Sequence, residues 1–419
     1  MSDGLARATP VQNLRLAATL FAPGVVRGTF ILSPRGVALT TRLNTQRRLI
    51  RLLAGLRERH GGRPVIVRGP TGPTLLVLSR PDVERVLDGS DEVYAPATKE
   101  KLRAVGGFLD QTLLLSSGPE RAVRHDYVSG VLDSGSTAHR LSASFRAAAR
   151  EEAATLDGGP LGYAKAEAAW ARVVRRCVYG SGARDDEELG AVLTELRRTG
   201  NWMGVRPPAV RRQRELAERY DARIREHLAR AEPGSLAGLM AAAPCAPEVG
   251  AARQAAFWLM GFSVTITGIM QALALLAARP AHQRAAAGDP AYLRACLQEA
   301  VRLWAPVPTL SRVTAIGTDW YGTRIPAGTA VIVPIGALQR DGRLDFPHRF
   351  RPEQWLEGRR EPLFAPFSRG PGQCKGMNLA LMTGTAFLGR ILEAGPVHGR
   401  PLPGELPAMI DTLRLEVTR

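Results

Sequence analysis

Phe367-Ser-Arg-Gly-Pro-Gly-Gln-Cys-Lys-Gly376 is the stretch on which the reading of the fold turns. It sets Phe367, Gly370, Cys374 and Gly376 in the order F-x-x-G-x-x-x-C-x-G. Each residue type there has a chemical reason. A thiolate is a strong metal ligand, and it is costly to bury unless donors face it. A glycine-rich loop entering a helix N-terminus supplies backbone N–H groups and the positive end of a dipole. Gly370 and Gly372 let the backbone come close to a flat ligand. Phe367 can pack beside that ligand and exclude water. The plain alternative is a buried structural cysteine in a Gly/Pro loop, and a lone cysteine would be read that way.

Two stretches upstream change the balance. Glu299-Ala-Val-Arg302 lies in a predicted helix from Tyr292 to Trp304, where residues three apart share a face. Taken alone it is a common surface ion pair, worth about 0.5 kcal/mol or less. Phe346-Pro-His-Arg-Phe-Arg-Pro-Glu-Gln-Trp355 follows. Each is weak alone; in this order and near these separations the three are specific.

The chain resembles the cytochrome P450 superfamily, soluble bacterial type, from the predicted hairpin at Val65 to the C-terminus. The resemblance implies a mainly α fold with small β-sheets, a single large heme-binding domain over residues 1–419. Residues 1–60 would be an N-terminal helical extension, 253–279 the central distal helix, and 364–394 the cysteine loop with its following helix. Cys374 would be the axial ligand of heme b iron, with Phe367, Gly370 and Gly376 shaping the loop. By the same resemblance Glu299, Arg302 and Arg349 hold the fold behind the heme. Arg312, Arg121 and His125 would meet the heme propionates, although His125 stands where arginine is usual. The family has Arg or His two residues before the cysteine. Here that position is Gly372, so Arg369 or another arginine is expected to take over.

A second departure bears on mechanism. Counting back from Arg279-Pro280, the family's distal A/G-G-x-acid-Thr motif falls on Met260-Gly-Phe-Ser-Val264. The acid position is Ser263 and the alcohol position Val264; a one-residue slip would offer Thr265. No Asp or Glu occurs between Arg253 and Arg279, so no alignment restores the acid. A proton relay needs a titratable or hydroxylic group in hydrogen-bond reach, or one water away. Ser263, Val264 and Thr265 are therefore the candidate catalytic positions. Two functional readings follow. One is a monooxygenase supplied with electrons by a ferredoxin and its reductase. The other is chemistry driven by hydrogen peroxide, or oxidative coupling or rearrangement, without net hydroxylation. A catalytically silent homologue acting as a partner subunit is a third, and the intact cysteine loop argues against it. The arginine–proline pair that peroxide-using, fatty-acid-binding relatives carry in this helix is missing. Met260, Gly261, Val307, Thr309 and Leu310 would line the substrate pocket, with walls from a loop near Phe108 to Leu114. Their apolar or small character suits a small apolar substrate.

The rest of the chain sets limits. Net charge is +17, with four lysines against many arginines. That balance suits an acidic partner, and Arg359, Arg360, Arg369 and Lys375 cluster on the cysteine side. The arginines are spread along the chain without interleaved aromatics, so a nucleic-acid partner is not expected. Four scattered cysteines point to a reducing, cytoplasmic setting rather than a disulfide scaffold. The histidines have no zinc spacing. The apolar run Leu16 to Val26 is broken by Pro23 and Gly24, and no secretion signal is expected. The uncharged run between Arg253 and Arg279 is long enough for a membrane span, but its Gln, Ser and Thr residues suit a buried central helix better. Heavy Ala, Arg and Gly use hints at a GC-rich genome and, with the family resemblance, at secondary metabolism such as antibiotic biosynthesis.

Overall fold

The computed structural model describes residues 4–89, 91–201, 210–357 and 361–419. The expected helix break at Pro207-Pro208 and the basic residues Arg359 and Arg360 lie outside these. The fold is mostly helical with small sheets, as the resemblance implies. The predicted hairpin forms as two antiparallel strands, Val65–Gly69 and Gly72–Leu76, with Val65 opposite Leu76. Pro70 and Thr71 make the turn between Gly69 and Gly72, a tighter turn than the five turn-type residues suggest. Ala330–Val333 adds in parallel to the second strand, then Leu310–Thr314 antiparallel to it, then the short Tyr94–Ala95. This sheet carries Arg312 towards the cysteine loop.

The largest core is helical. Ser142–Ala154, Tyr163–Tyr179, Thr265–Ala277, Pro290–Leu303 and Met377–Glu393 pack on one another around Phe145, Trp170 and Phe387. The last of these helices is apolar on almost every side, as a helix enclosed by others must be. It begins at Met377, three residues later than the sequence suggests, and the Cys374 N–H closes the preceding loop onto Phe367 O at 2.9 Å.

The distal helix is two helices, Ala251–Ser263 and Thr265–Ala277, meeting at Val264. Among the described residues, Pro247–Ala277 is the one stretch long and apolar enough to cross a membrane, and most of it is buried within the protein.

Candidate active site

Cys374 sits between a single 3-10 turn, Gly370–Gly372, and the helix from Met377. Its side chain is accessible although protein surrounds it closely. That crowding pushes the thiol up from its ordinary range, while the N–H groups of Gly376 and Met377 and the Lys375 ammonium pull it down. Gly370 has φ +63°, and a Cβ there would overlap Leu87 O, so the turn requires glycine. Gly376 is touched from above: a Cβ on it would lie 3.2 Å from Phe262 Cε1 of the distal helix. Gly261, next to Phe262, is exposed and faces open space in mid-helix. The cysteine loop thus meets the distal helix through Gly376 and Phe262, with both Cys374 and Gly261 left accessible.

Behind the loop, Glu299 and Arg302 are both 0% exposed. The guanidinium forks onto the carboxylate at 2.7 Å twice. Glu299 also accepts from Arg351 N–H, Gln354 Nε2 and Trp355 Nε1 at 2.7–3.0 Å. The remaining Arg302 protons go to the carbonyls of Gln339, Pro347 and Arg349. This is a satisfied buried network, not a surface pair. Arg349 enters it through its carbonyl, and its guanidinium lies 6.0 Å from the Phe346 ring centroid.

The cations on the other side of the loop are arranged differently from expectation. Arg312 is buried and donates to Ser311 O and Ser368 Oγ. A Cβ on Gly372 would overlap Arg312 Nη2, so this guanidinium occupies the space where a longer residue 372 would begin. Arg121 is buried, pairs with Asp91 and donates to Leu113 O at 2.6 Å. Arg369 forks onto Asp88. His125 is partly exposed, 3.4 Å from Asp126.

The residue that joins Arg312 and Arg121 is Lys101. Its ammonium donates to Pro96 O at 2.8 Å and Ser311 O at 3.3 Å. Burial, with Arg312 and Arg121 nearby, lowers its pKa to about 7, with some relief from Glu100. Burial and Arg121 likewise lower Arg312 to about 10, opposed by Asp91. Three mutually repelling cations beside an accessible thiol call for anionic groups between them. The residues fit a heme: Cys374 for iron, and Lys101, Arg121 and Arg312 for the propionates.

Lys101 yields a pH prediction. Its folded pKa lies below the ordinary 10.5, so the unfolded chain binds the proton more tightly. Stability contributed by this group therefore rises with pH between about 7 and 10.5. Thermal melts of heme-free protein across that window should show the rise, and Lys101→Met should flatten it.

On the distal side, the break at Val264 has an identifiable cause. Trp170 Nε1 donates to Phe262 O at 2.9 Å, and Ser263 Oγ donates to Met260 O at 2.7 Å. A side chain bonded into the helix ladder bends it. Trp170→Phe removes that donor from a buried carbonyl and should cost about 1–3 kcal/mol in chemical denaturation.

A cavity of about 440 Å³ lies against the break, lined by Ser263, Val264, Thr267, Val307, Trp304 and Arg197 among others. Of the expected pocket residues it includes Val307 but not Met260, Gly261, Thr309 or Leu310. Thr265 turns its methyl towards Gly384 of the last long helix, so the slipped alcohol position faces away from the cavity. Phe108 and Leu109 are core residues. Ser263 Oγ accepts from Arg197 Nη1 at 3.1 Å while its own proton goes to Met260 O. Glu167, from the helix that carries Trp170, supplies a carboxyl to the same cavity wall, its pKa raised by burial and relieved by Arg197.

Sequence reasoning missed Lys101, Trp170, Arg197 and Glu167. The one available signal was Lys101's rarity in an arginine-rich chain.

The Cytochrome P450 family model matches residues 256–398, which hold the distal helix, Glu299, Arg302 and Cys374. A mutant of P450 EryK in complex with erythromycin B superposes with TM-score 0.65 at 21% identity, covering 88% of this chain and 95% of that one. The chain has the fold of the cytochrome P450 superfamily, and its segment 256–398 matches that family's model. A six-coordinated P450 from Thermus thermophilus shares the P450 fold at TM-score 0.65 and 20% identity, covering 84% of this chain and 92% of its own. By sequence, this chain is 33% identical over 145 residues to putative cytochrome P450 137 of Mycobacterium tuberculosis, covering 33% of this chain and 30% of the relative. It is 29% identical over 240 residues to cytochrome P450 monooxygenase AMT3 of Alternaria alternata, covering 49% of each. The chain spans between about a fifth and a half of the curated P450 relatives it matches.

Proposed function

We propose that this P450 is a heme-thiolate oxidoreductase of the monooxygenase type. It would act as one heme-binding domain over residues 1–419 in the cytoplasm, with heme b ligated by Cys374. The observation that carries this reading is the accessible Cys374 thiol beside the buried Arg121 and Arg312, with the half-buried Lys101 near both. When bound, the heme supplies redox chemistry at iron, with the thiolate as electron donor. The chain's residues do the rest. Gly376 and Met377 N–H groups stabilise the sulfur. Lys101, Arg121 and Arg312 would hold the carboxylates of the heme. Val264, Val307 and Trp304 shape an apolar part of the cavity wall for a small molecule. The substrate role we favour is oxidative tailoring in bacterial secondary metabolism, supported by composition and family analogy. Electrons would come from a ferredoxin and its reductase, docked on the basic cysteine face.

A second reading, driven by hydrogen peroxide, is favoured by one observation: at the acid position the Ser263 proton is committed to Met260 O, so this position offers the cavity an acceptor rather than a proton. The first experiment is the absorption spectrum of the dithionite-reduced protein with carbon monoxide. A strongly red-shifted Soret band supports thiolate ligation, and a band at the histidine-ligated position overturns it. Turnover with hydrogen peroxide alone, against ferredoxin, reductase and NADPH, then separates the two readings.

A further inference from the structure

Two arginines from separate parts of the chain converge on the cavity beside the distal helix. Arg197, near the end of helix Glu187–Gly200, donates through Nε to Phe30 O at 2.6 Å and through Nη1 to Ser263 Oγ at 3.1 Å. Both acceptors are neutral, and a guanidinium has five N–H donors. Arg27, from the N-terminal helices, lines the same cavity, and its Nε is buried without a hydrogen-bond partner. Among the described residues, no carboxylate lies within ion-pair distance of either guanidinium; Glu167 and Asp411 act on them only from further away. Burial lowers both guanidinium pKa values, which shows that the protein around them disfavours the uncompensated charge. Ile31, Val264, Trp304 and Val307 make part of the remaining wall apolar, while Glu167, Thr267 and Gln271 also line it. The volume, about 440 Å³, falls in the range of small-ligand sites.

A cavity with a partly apolar wall and two arginines that have no carboxylate within ion-pair distance suits an amphipathic anion. We infer that the substrate is a small apolar molecule bearing a carboxylate, with the carboxylate held by Arg197 and supported by Arg27. The carboxylate fits because the planar guanidinium presents paired donors to it. Ser263 has a defined part: it fixes Nη1, so the fork is oriented before the ligand arrives. This inference rests on the P450 reading only in treating the cavity as the substrate site.

The test uses heme-loaded protein and three probes of matched chain length: decanoate, decanol and methyl decanoate. Binding is read by calorimetry and, separately, by the shift of the Soret band. Decanoate should bind at least about tenfold more tightly than either neutral probe. Arg197→Gln should erase that preference, Arg197→Lys should keep part of it, and Arg27→Gln should weaken it. Circular dichroism melts check that each variant is folded, and the lysine variant keeps the test informative if Arg197→Gln is not. Absent decanoate binding, equal binding of the three probes, or a preference that survives in folded Arg197→Gln overturns the inference. Failure of the P450 reading is distinguishable. It removes the red-shifted carbon monoxide band and the Soret response, but leaves the calorimetric carboxylate preference readable.

Discussion

Cys374→Ala is expected to give a folded protein whose reduced carbon monoxide complex has lost the red-shifted Soret band altogether. The two halves of this expectation have different causes. The side chain is accessible, and the loop is held through the Cys374 N–H bond to Phe367 O, which alanine keeps. The cost to the fold should therefore be within about 0.5–1 kcal/mol, as for a substitution that removes no buried packing. The spectroscopic loss should be complete because no other thiol can take over. Cys177 is buried with its thiol pushed up to about 12, Cys296 is buried with its thiol raised further, and Cys245 is bonded to Ala246 O on the surface. Spectra and near-ultraviolet circular dichroism on the same sample measure both halves. A persisting band would show that another residue ligates the iron.

The second large effect is on stability. Glu299→Ala and Arg302→Ala should each cost about 3–5 kcal/mol in urea or thermal unfolding, because each leaves its partner as a buried, unpaired charge. Glu299 also satisfies Trp355 Nε1, Gln354 Nε2 and Arg351 N–H, so its loss strands neutral donors as well. The double variant should cost less than the sum of the two, since the second change removes the stranded partner. Arg349→Ala is the control. It keeps the carbonyl that Arg302 uses, so a change within about 0.5 kcal/mol is expected. If Arg349→Ala proves as damaging as Glu299→Ala, its guanidinium belongs to the network after all.

These two predictions rest on motifs that local sequence carries. The loop around Cys374 and the Glu299–Arg302 pair are short-range patterns whose residue types follow from their chemistry. The hairpin at Val65–Leu76 and the strands at Leu310–Thr314 and Ala330–Val333 are legible for the same reason: β-branched runs between turn residues. What cannot be read is long-range. Nothing near Lys101 marks it as a neighbour of Arg312; the strand that carries Arg312 brings them together. Gly372 reads locally as a lost contact, yet in the fold it makes room for Arg312, which reaches the same space from the sheet. Arg369, the candidate nearest in sequence to replace that contact, is held by Asp88 instead. Arg349 is matched by position, and position cannot tell whether a residue contributes its side chain or its carbonyl. An uninterrupted distal helix is the natural reading of an uncharged apolar run, because its interruption originates elsewhere.

That interruption bears on how far this distal helix can be exchanged with those of relatives. The interruption at Val264 goes with Trp170, ninety-two residues before the carbonyl it captures at Phe262. The interruption and this donor are thus two halves of one inheritable unit that sit in different segments of the chain. A chimera receiving a segment 163–179 without tryptophan at 170 would lose the side-chain donor to the Phe262 carbonyl. Segment swaps in this protein should therefore be drawn so that residues 163–179 and 251–277 travel together.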